Sequence, residues 1–248
     1  MEKGKIILAL LTVAMLLTIT GAVAATPVRT SGVNSGDTAT YGNANFSWYS
    51  SDPTAAPPAE WNNLNGTAWF MGTVESVAGT NVTLSGLAHY NNGTETTQSG
   101  WVDVDTGDGE NFTFFLISAN LNAGDSVYTG SDYSDFIINE TIPGTRPTNH
   151  LNITMSESEP PYADIYLSEN YYWDQATGIL TKLSITNNES LSYPTTNETD
   201  WSISFQLTST NKFTVPEFLG VPEILLLLTP LTLVTLAYRR KLHRTQNC

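Results

Sequence analysis

Residues 69–105 read WFMGTVESVAGTNVTLSGLAHYNNGTETTQSGWVDVD, and their punctuation decides the fold class. Residues 69–77 are strand-like, Ala78-Gly79-Thr80 is a turn, 82–90 run back, Asn91-Asn92-Gly93 turns again and 94–105 return. Turns this short join only antiparallel neighbours, so the stretch is an antiparallel meander. Val82, Leu84, Ala88 and Tyr90 fall on one face, and Thr83, Ser85 and His89 on the other together with Leu87. A period of two marks a strand with one buried face.

Working outward, residues 38–49, 112–117, 136–139, 151–155, 163–167, 171–173, 179–185 and 201–207 read as further strands, and 118–125 as a short helical turn. Trp201, Ile203, Phe205 and Leu207 alternate with Ser202, Ser204 and Gln206, while Leu151, Ile153 and Met155 alternate with Asn152 and Thr154. Residues 171–180, YYWDQATGIL, form the sharpest hairpin. Asp174 is placed to cap its turn, and Gly178 to supply the positive φ of a bulged turn. Many short strands and almost no amphipathic helix predict an all-β, antiparallel, meander-rich domain. A curved sheet of half-barrel form fits that pattern, as does a β-sandwich.

The two ends concern location. Lys3 and Lys5 precede an apolar run over 6–19 and then Ala22-Val23-Ala24, the pattern of a signal peptide ending at residue 24. Residues 219–238 are long and apolar enough to cross a hydrocarbon core of ~30 Å as one helix. Arg239, Arg240, Lys241 and Arg244 follow at once, which puts residues 239–248 on the cytoplasmic side. The expected order is therefore signal peptide 1–24, extracellular β domain 25–207, linker 208–218, transmembrane helix 219–238 and basic tail 239–248.

The formal charge of the 248-residue chain is −14, and the basic residues gather at its ends. Between residues 25 and 214 there are 21 acids against four bases, Arg29, Arg146, Lys182 and Lys212. A surface this acidic repels phosphates, which excludes nucleic acid as a partner. The one cysteine, Cys248, is the last residue, so the exported part has no disulfide and its stability must come from packing. Asn-x-Ser/Thr sequons stand at Asn45, Asn65, Asn81, Asn92, Asn111, Asn139, Asn152, Asn188 and Asn197, candidate glycan sites in an exported chain.

Chemistry is thin. His89 and His150 lie on separate strands without metal-ligand spacing, and no G-x-S-x-G elbow supports a Ser-His-Asp triad. Asp103, Asp105, Asp108 and Glu110 concentrate hard oxygens as calcium requires. Gly107, however, takes the third ligand position of an EF-hand-like loop, and a solvated strand end is the alternative reading. Glu157, Glu159, Asp164, Glu169 and Asp174 are carboxylates of the kind glycoside hydrolysis uses, but no spacing pairs them. Trp48, Trp61, Trp69, Trp101, Trp173 and Trp201 suit a core, a sugar platform or a lipid cavity. The residues predict no enzyme and no cofactor beyond that calcium candidate.

Val215-Pro216-Glu217-Phe218, followed by the apolar span and Arg-Arg-Lys, resembles the PEF-type C-terminal sorting signals of archaeal surface proteins. The resemblance implies an archaeosortase-like transpeptidase as a partner, cutting near Pro216-Glu217-Phe218. The YWDxxTGxL hairpin and Gly-Asp-led strands resemble exported archaeal surface proteins too. The hairpin alone is similar to one in lipoprotein-carrier proteins, whose half-barrel sheet wraps a lipid-sized cavity. Two functions are thus expected. One is a non-enzymatic, membrane-anchored envelope glycoprotein that meets the bilayer and other envelope proteins. The other is an anchored module holding a lipid, another apolar ligand or a surface sugar on a curved sheet.

Overall fold

The computed structural model describes residues 28–57, 64–133, 135–159, 163–191, 197–213 and 215, and among these ten strands form one antiparallel sheet. They are β1 (Thr38–Ser50), β2 (Thr67–Ala78), β3 (Asn81–Tyr90), β4 (Glu95–Asp103), β5 (Gly109–Glu110), β6 (Glu140–Ile142), β7 (Thr148–Glu159), β8 (Ala163–Asp174), β9 (Leu180–Leu191) and β10 (Asn197–Thr210). The order across the sheet is β5-β4-β3-β2-β1-β10-β9-β8-β7-β6. Every chain neighbour pairs except β5 with β6, and the last strand pairs with the first along Ala39↔Thr210 to Ser50↔Thr199. The topology is that of an up-and-down ring cut open along one seam. Because all ten strands share this sheet, the β-sandwich alternative does not hold.

Curvature enters at breaks in the register. In β1 the ladder with β10 slips between Gly42 and Asn45, where Asn43 adopts a φ of 52°. Further slips occur between Thr67 and Trp69, between Val74 and Ser76, and between Tyr172 and Trp173. A bulge adds a residue to one strand only, which bends it and tightens its twist.

The chain between the two free edges, residues 111–139, crosses the inner face. It meets the sheet through the Leu116↔Ile179 bridge, with Ile117 N donating to Gly178 O at 3.0 Å and Leu180 N to Phe115 O at 3.0 Å. Trp173 Nε1 donates to Phe114 O at 2.8 Å, and Asn149 Nδ2 to Leu121 O at 2.9 Å. Val82, Leu84, Val102, Leu151, Trp173 and Leu207 from the strands bury against Phe112, Leu116, Ile117, Leu121, Val127 and Tyr128 of the crossing chain. Residues 28–37 brace the same core, with Val33 buried and Gly36 N donating to Val74 O at 2.8 Å.

The expected strand at 112–117 is therefore not a strand. Its apolarity is real, but positive φ at Asn111, Phe114 and Asn120 interrupts any ladder, and the segment is buried as a plug. The reversal at Phe114 (φ 69°) throws Phe114 and Phe115 into two different aromatic clusters. Residues 118–125 form turns rather than a helical turn, and 136–139 make one bridge, Ser126↔Ile137. The segments expected at 163–167 and 171–173 are a single strand, β8, and β9 runs on to Leu191. Their outer face is lined with Ser, Asn and Thr, and Glu169 and Glu189 stand on the inner register, residues that resemble a loop by composition alone.

The alternation read in residues 82–90 holds, with Val82 and Leu84 buried. Gly178 has a φ of 74°, and a Cβ there would lie 2.0 Å from Ile117 O, so the hairpin needs glycine twice over. The strand expected to end at 207 continues to Thr210, past the expected start of the linker. Beyond it Lys212 Nζ lies 2.9 Å from Asp37 Oδ2, Phe213 packs beneath the Arg146 guanidinium, and Val215 joins the core. The expected signal peptide, Pro216-Glu217-Phe218, the expected span and the basic cluster lie outside the described residues. Among the described residues no helix is long and apolar enough to cross a membrane.

Candidate functional site

The sheet's inner face is not uniformly filled. One half is closed by Phe114 with Tyr128, Tyr133, Phe136 and Tyr171, at centroid distances of 5.0–5.7 Å from the Phe114 ring. On the other half Phe115 stacks on Phe205 at 5.8 Å, and Tyr41 meets Phe70, Phe115 and Phe205 at 6.0, 5.7 and 5.7 Å. Gly86 makes room for this cluster, since a Cβ there would lie 2.9 Å from the Phe70 ring. Beside these rings a pocket of about 280 Å³ remains, walled by Tyr41, Phe70, Ala88, Tyr90, Phe115 and Phe205. A smaller cavity of about 30 Å³ shares Tyr41, Phe70 and Phe115 with its wall.

The polar groups around this face differ in how they are satisfied. Tyr128 OH donates to Leu116 O and accepts from Phe114 N, both at 2.9 Å. Tyr171 OH donates to Glu169 Oε2 at 2.8 Å, and Tyr90 OH lies 3.2 Å from Thr96 Oγ1 at the rim. Tyr41 is only 4% exposed, yet its hydroxyl is not sealed from solvent and makes no hydrogen bond to the described residues; the one sealed side-chain nitrogen or oxygen without a partner among them is Arg29 Nε. Burial pushes the phenols of Tyr41, Tyr128 and Tyr171 well above their ordinary value.

The outer face is the opposite in character. Asn152, Asn170, Ser184, Ser204 and Asn45 align across five strands, and Thr154, Ser168, Thr186, Ser202 and Ser47 form the next row. The sequons on strands, Asn45, Asn81, Asn152 and Asn188, alternate onto this outer side, except that Asn197 starts β10 on the inner register. Asn45, Asn65, Asn92, Asn111, Asn139 and Asn188 are exposed, and Asn81, Asn152 and Asn197 half-buried. Several amides are already engaged. Asn65 Nδ2 donates to Phe46 O at 2.8 Å, Asn111 Nδ2 to Ser99 O at 3.0 Å, and Asn152 Nδ2 to Asn170 Oδ1 at 3.0 Å. The Asn188 amide nitrogen faces Asp200 Oδ1 at 3.2 Å.

The acidic turn does not converge on a point. Asp103 Oδ1 accepts from Asp105 N and Thr106 N, Asp103 Oδ2 from Thr80 Oγ1, Asp105 Oδ1 from Thr129 Oγ1, and Asp108 Oδ2 from Thr106 Oγ1. These carboxylates close a turn, and Glu110 is exposed at the end of β5. Among the described residues no group of three or more His, Cys, Asp or Glu could hold a metal ion. His89 stacks on Trp69 and pairs with Glu95 at 3.0 Å. His150 stacks on Tyr172 and sits between Glu140 and Asn170 at 3.0 and 3.1 Å. The two histidines belong to separate clusters on the outer face. Trp173 is fully buried, Trp48, Trp69, Trp101 and Trp201 are half-buried, and Trp61 lies outside the described residues.

All four bases of the acidic domain are engaged. Arg146 clamps Asp174, Lys212 pairs with Asp37, and Lys182 lies 5.5 Å from the Tyr172 ring centroid. Arg29 donates to Val127 O and Ser126 O at 3.0 and 2.7 Å. Burial lowers its pKa below the ordinary value, with Asp105 and Asp125 opposing that shift. The pocket residues Tyr41, Phe70 and Phe115 were not singled out by sequence. Only the alternation of Ala88 with Leu84 and of Phe205 with Leu207 pointed toward a common inner face. No protein-family model matches the chain, and a comparison with curated proteins gives no match either.

Proposed function

We propose that this domain is a non-enzymatic binding module that holds an apolar ligand against the inner face of its open sheet. The observation that carries this reading is the pocket of about 280 Å³ left between the plug and strands β1–β4 and β10, with five aromatic rings in its wall. That volume lies close to the lower end of the ~300–1,000 Å³ of small-molecule pockets, and such sites are mostly apolar with few polar groups. A half-barrel of the lipoprotein-carrier kind is the finer description of the sheet that accords with this use.

The decisive measurement is titration of the purified full chain with a dansyl-labelled alkyl chain. Saturable binding at one site is expected, and Ala88→Trp, which fills the pocket, removes it while cooperative unfolding is retained. Absence of saturable binding, or undiminished binding by a folded Ala88→Trp variant, refutes the reading.

We further infer that the module is exported, membrane-held and glycosylated in a cell envelope. Lys3, Lys5 and Ala22-Val23-Ala24 support export, and the 219–238 span with Arg239, Arg240, Lys241 and Arg244 supports a cytoplasmic C-terminus. Val215-Pro216-Glu217-Phe218 supports processing by an archaeosortase-like transpeptidase. The rows of Asn, Ser and Thr on the outer face suit a hydrated envelope surface. Protease protection of intact cells tests the topology. An intact mass that still includes residues 219–248 speaks for a retained anchor and against processing.

A further inference from the structure

We propose that the ligand is a neutral, single-chain amphiphile whose polar oxygen is held by the Tyr41 hydroxyl, an inference that rests on the pocket being a ligand site. Tyr41 is 4% exposed and caged by Phe70, Phe115 and Phe205. A sealed hydroxyl is hydrogen-bonded as a rule, whereas one that keeps an accessible face can bond what enters beside it. Tyr128, fully buried in the same core, shows the rule obeyed, with both a donor and an acceptor bond at 2.9 Å. Tyr41 differs in bordering both the pocket and the smaller cavity, and its hydroxyl, which is not sealed from solvent, makes no hydrogen bond to the described residues.

The wall decides the charge of the ligand. Among the described lining residues no Lys, Arg, His, Asp or Glu is present, and Gln98 and Thr67 are the polar groups besides the two tyrosines. A carboxylate head would enter with no cation to pair it, within a domain of strongly negative charge, and an ammonium would enter with no anion. A neutral phenol both donates and accepts, so it satisfies an alcohol, ether or ester oxygen. The volume of about 280 Å³ suits a single alkyl chain.

The test is displacement of the dansyl-alkyl probe from the full chain by octanol, octane and octanoate, in the native sequence and in Tyr41→Phe. Octanol is expected to displace the probe better than octanoate. Tyr41→Phe keeps the ring and is expected to weaken octanol about five- to tenfold while leaving octane unchanged. An unchanged octanol-to-octane ratio in a folded Tyr41→Phe variant overturns the proposal, and means the hydroxyl is satisfied by trapped water. Octanoate displacing as well as octanol overturns it in the native protein, without recourse to any variant. Failure of the probe itself to bind removes this proposal together with the reading it rests on, whereas probe binding without head-group preference removes this proposal alone.

Discussion

Arg146 and Asp174 form a two-pronged ion pair, Nε to Oδ2 and Nη2 to Oδ1, each at 2.7 Å. The carboxylate is 2% exposed and also accepts from Thr177 N and Thr177 Oγ1, so it closes its own turn while bound to a distant loop. The guanidinium lies 4.0 Å above the Phe213 ring as well. One cation thus joins the β8–β9 hairpin to the segment that leaves the domain after β10. The clamp is a bond between parts of the chain that sequence distance keeps apart.

Replacing Arg146 with Met is expected to destabilise the domain, because it strands a buried carboxylate. Removing one partner of a buried pair costs ~3–5 kcal/mol, and the lower end applies because the guanidinium is 31% exposed. Urea unfolding of the variant measures the loss. A change below about 1 kcal/mol would show that water solvates Asp174 as well as Arg146 does.

Alkali is expected to unfold the domain through its buried phenols. Tyr41, Tyr128 and Tyr171 ordinarily titrate near 10.0, and burial raises all three in the fold. The folded state therefore keeps protons that the unfolded chain releases. The stability this supplies is complete below pH ~10 and is lost as pH rises through the raised values. Absorbance of tyrosinate should consequently include a cooperative step coincident with loss of circular dichroism. A smooth titration of all tyrosines ahead of unfolding would contradict it.

Glycan occupancy is expected to follow the freedom of each amide nitrogen, the atom that is modified. Asn45, Asn92 and Asn139 are exposed, and their amide nitrogens make no bond to the described residues; Asn92 Oδ1 already accepts from Thr94 N and Oγ1 in a turn at a hairpin tip. Asn65, Asn111, Asn152 and Asn188 have engaged nitrogens. Glycopeptide mass spectrometry of the chain from a host that performs N-glycosylation should find glycans mainly on the first set. Glycans concentrated on the second set, or none at all, would refute this.

The architecture was legible wherever alternation met a short turn. Residues 69–105 proclaimed an antiparallel meander, and Gly178 and Asp174 proclaimed their hairpin, because turn chemistry and side-chain period are local properties. Legibility failed where burial came without regular backbone. Residues 112–117 are as apolar as a core strand, yet they plug the sheet, since the reversal at Phe114 is invisible in composition. It failed in the opposite sense at Ser168, Glu169 and Asn170, whose polarity looks like a loop although they continue β8.

The candidate site was less legible still. Tyr41, Phe70, Phe115 and Phe205 come from β1, β2, the crossing chain and β10, and their meeting depends on β10 returning to pair with β1. By itself the sequence determined the strand-forming class, the acidity, the lack of disulfides and the pattern of the two ends, because each follows from residue type and spacing. Only the tertiary structure decided that one sheet opens at a single seam, that a plug covers part of its inner face, and that the Tyr41 hydroxyl borders a pocket without a hydrogen bond to the described residues. Those are long-range outcomes of strand pairing, which local propensity does not encode.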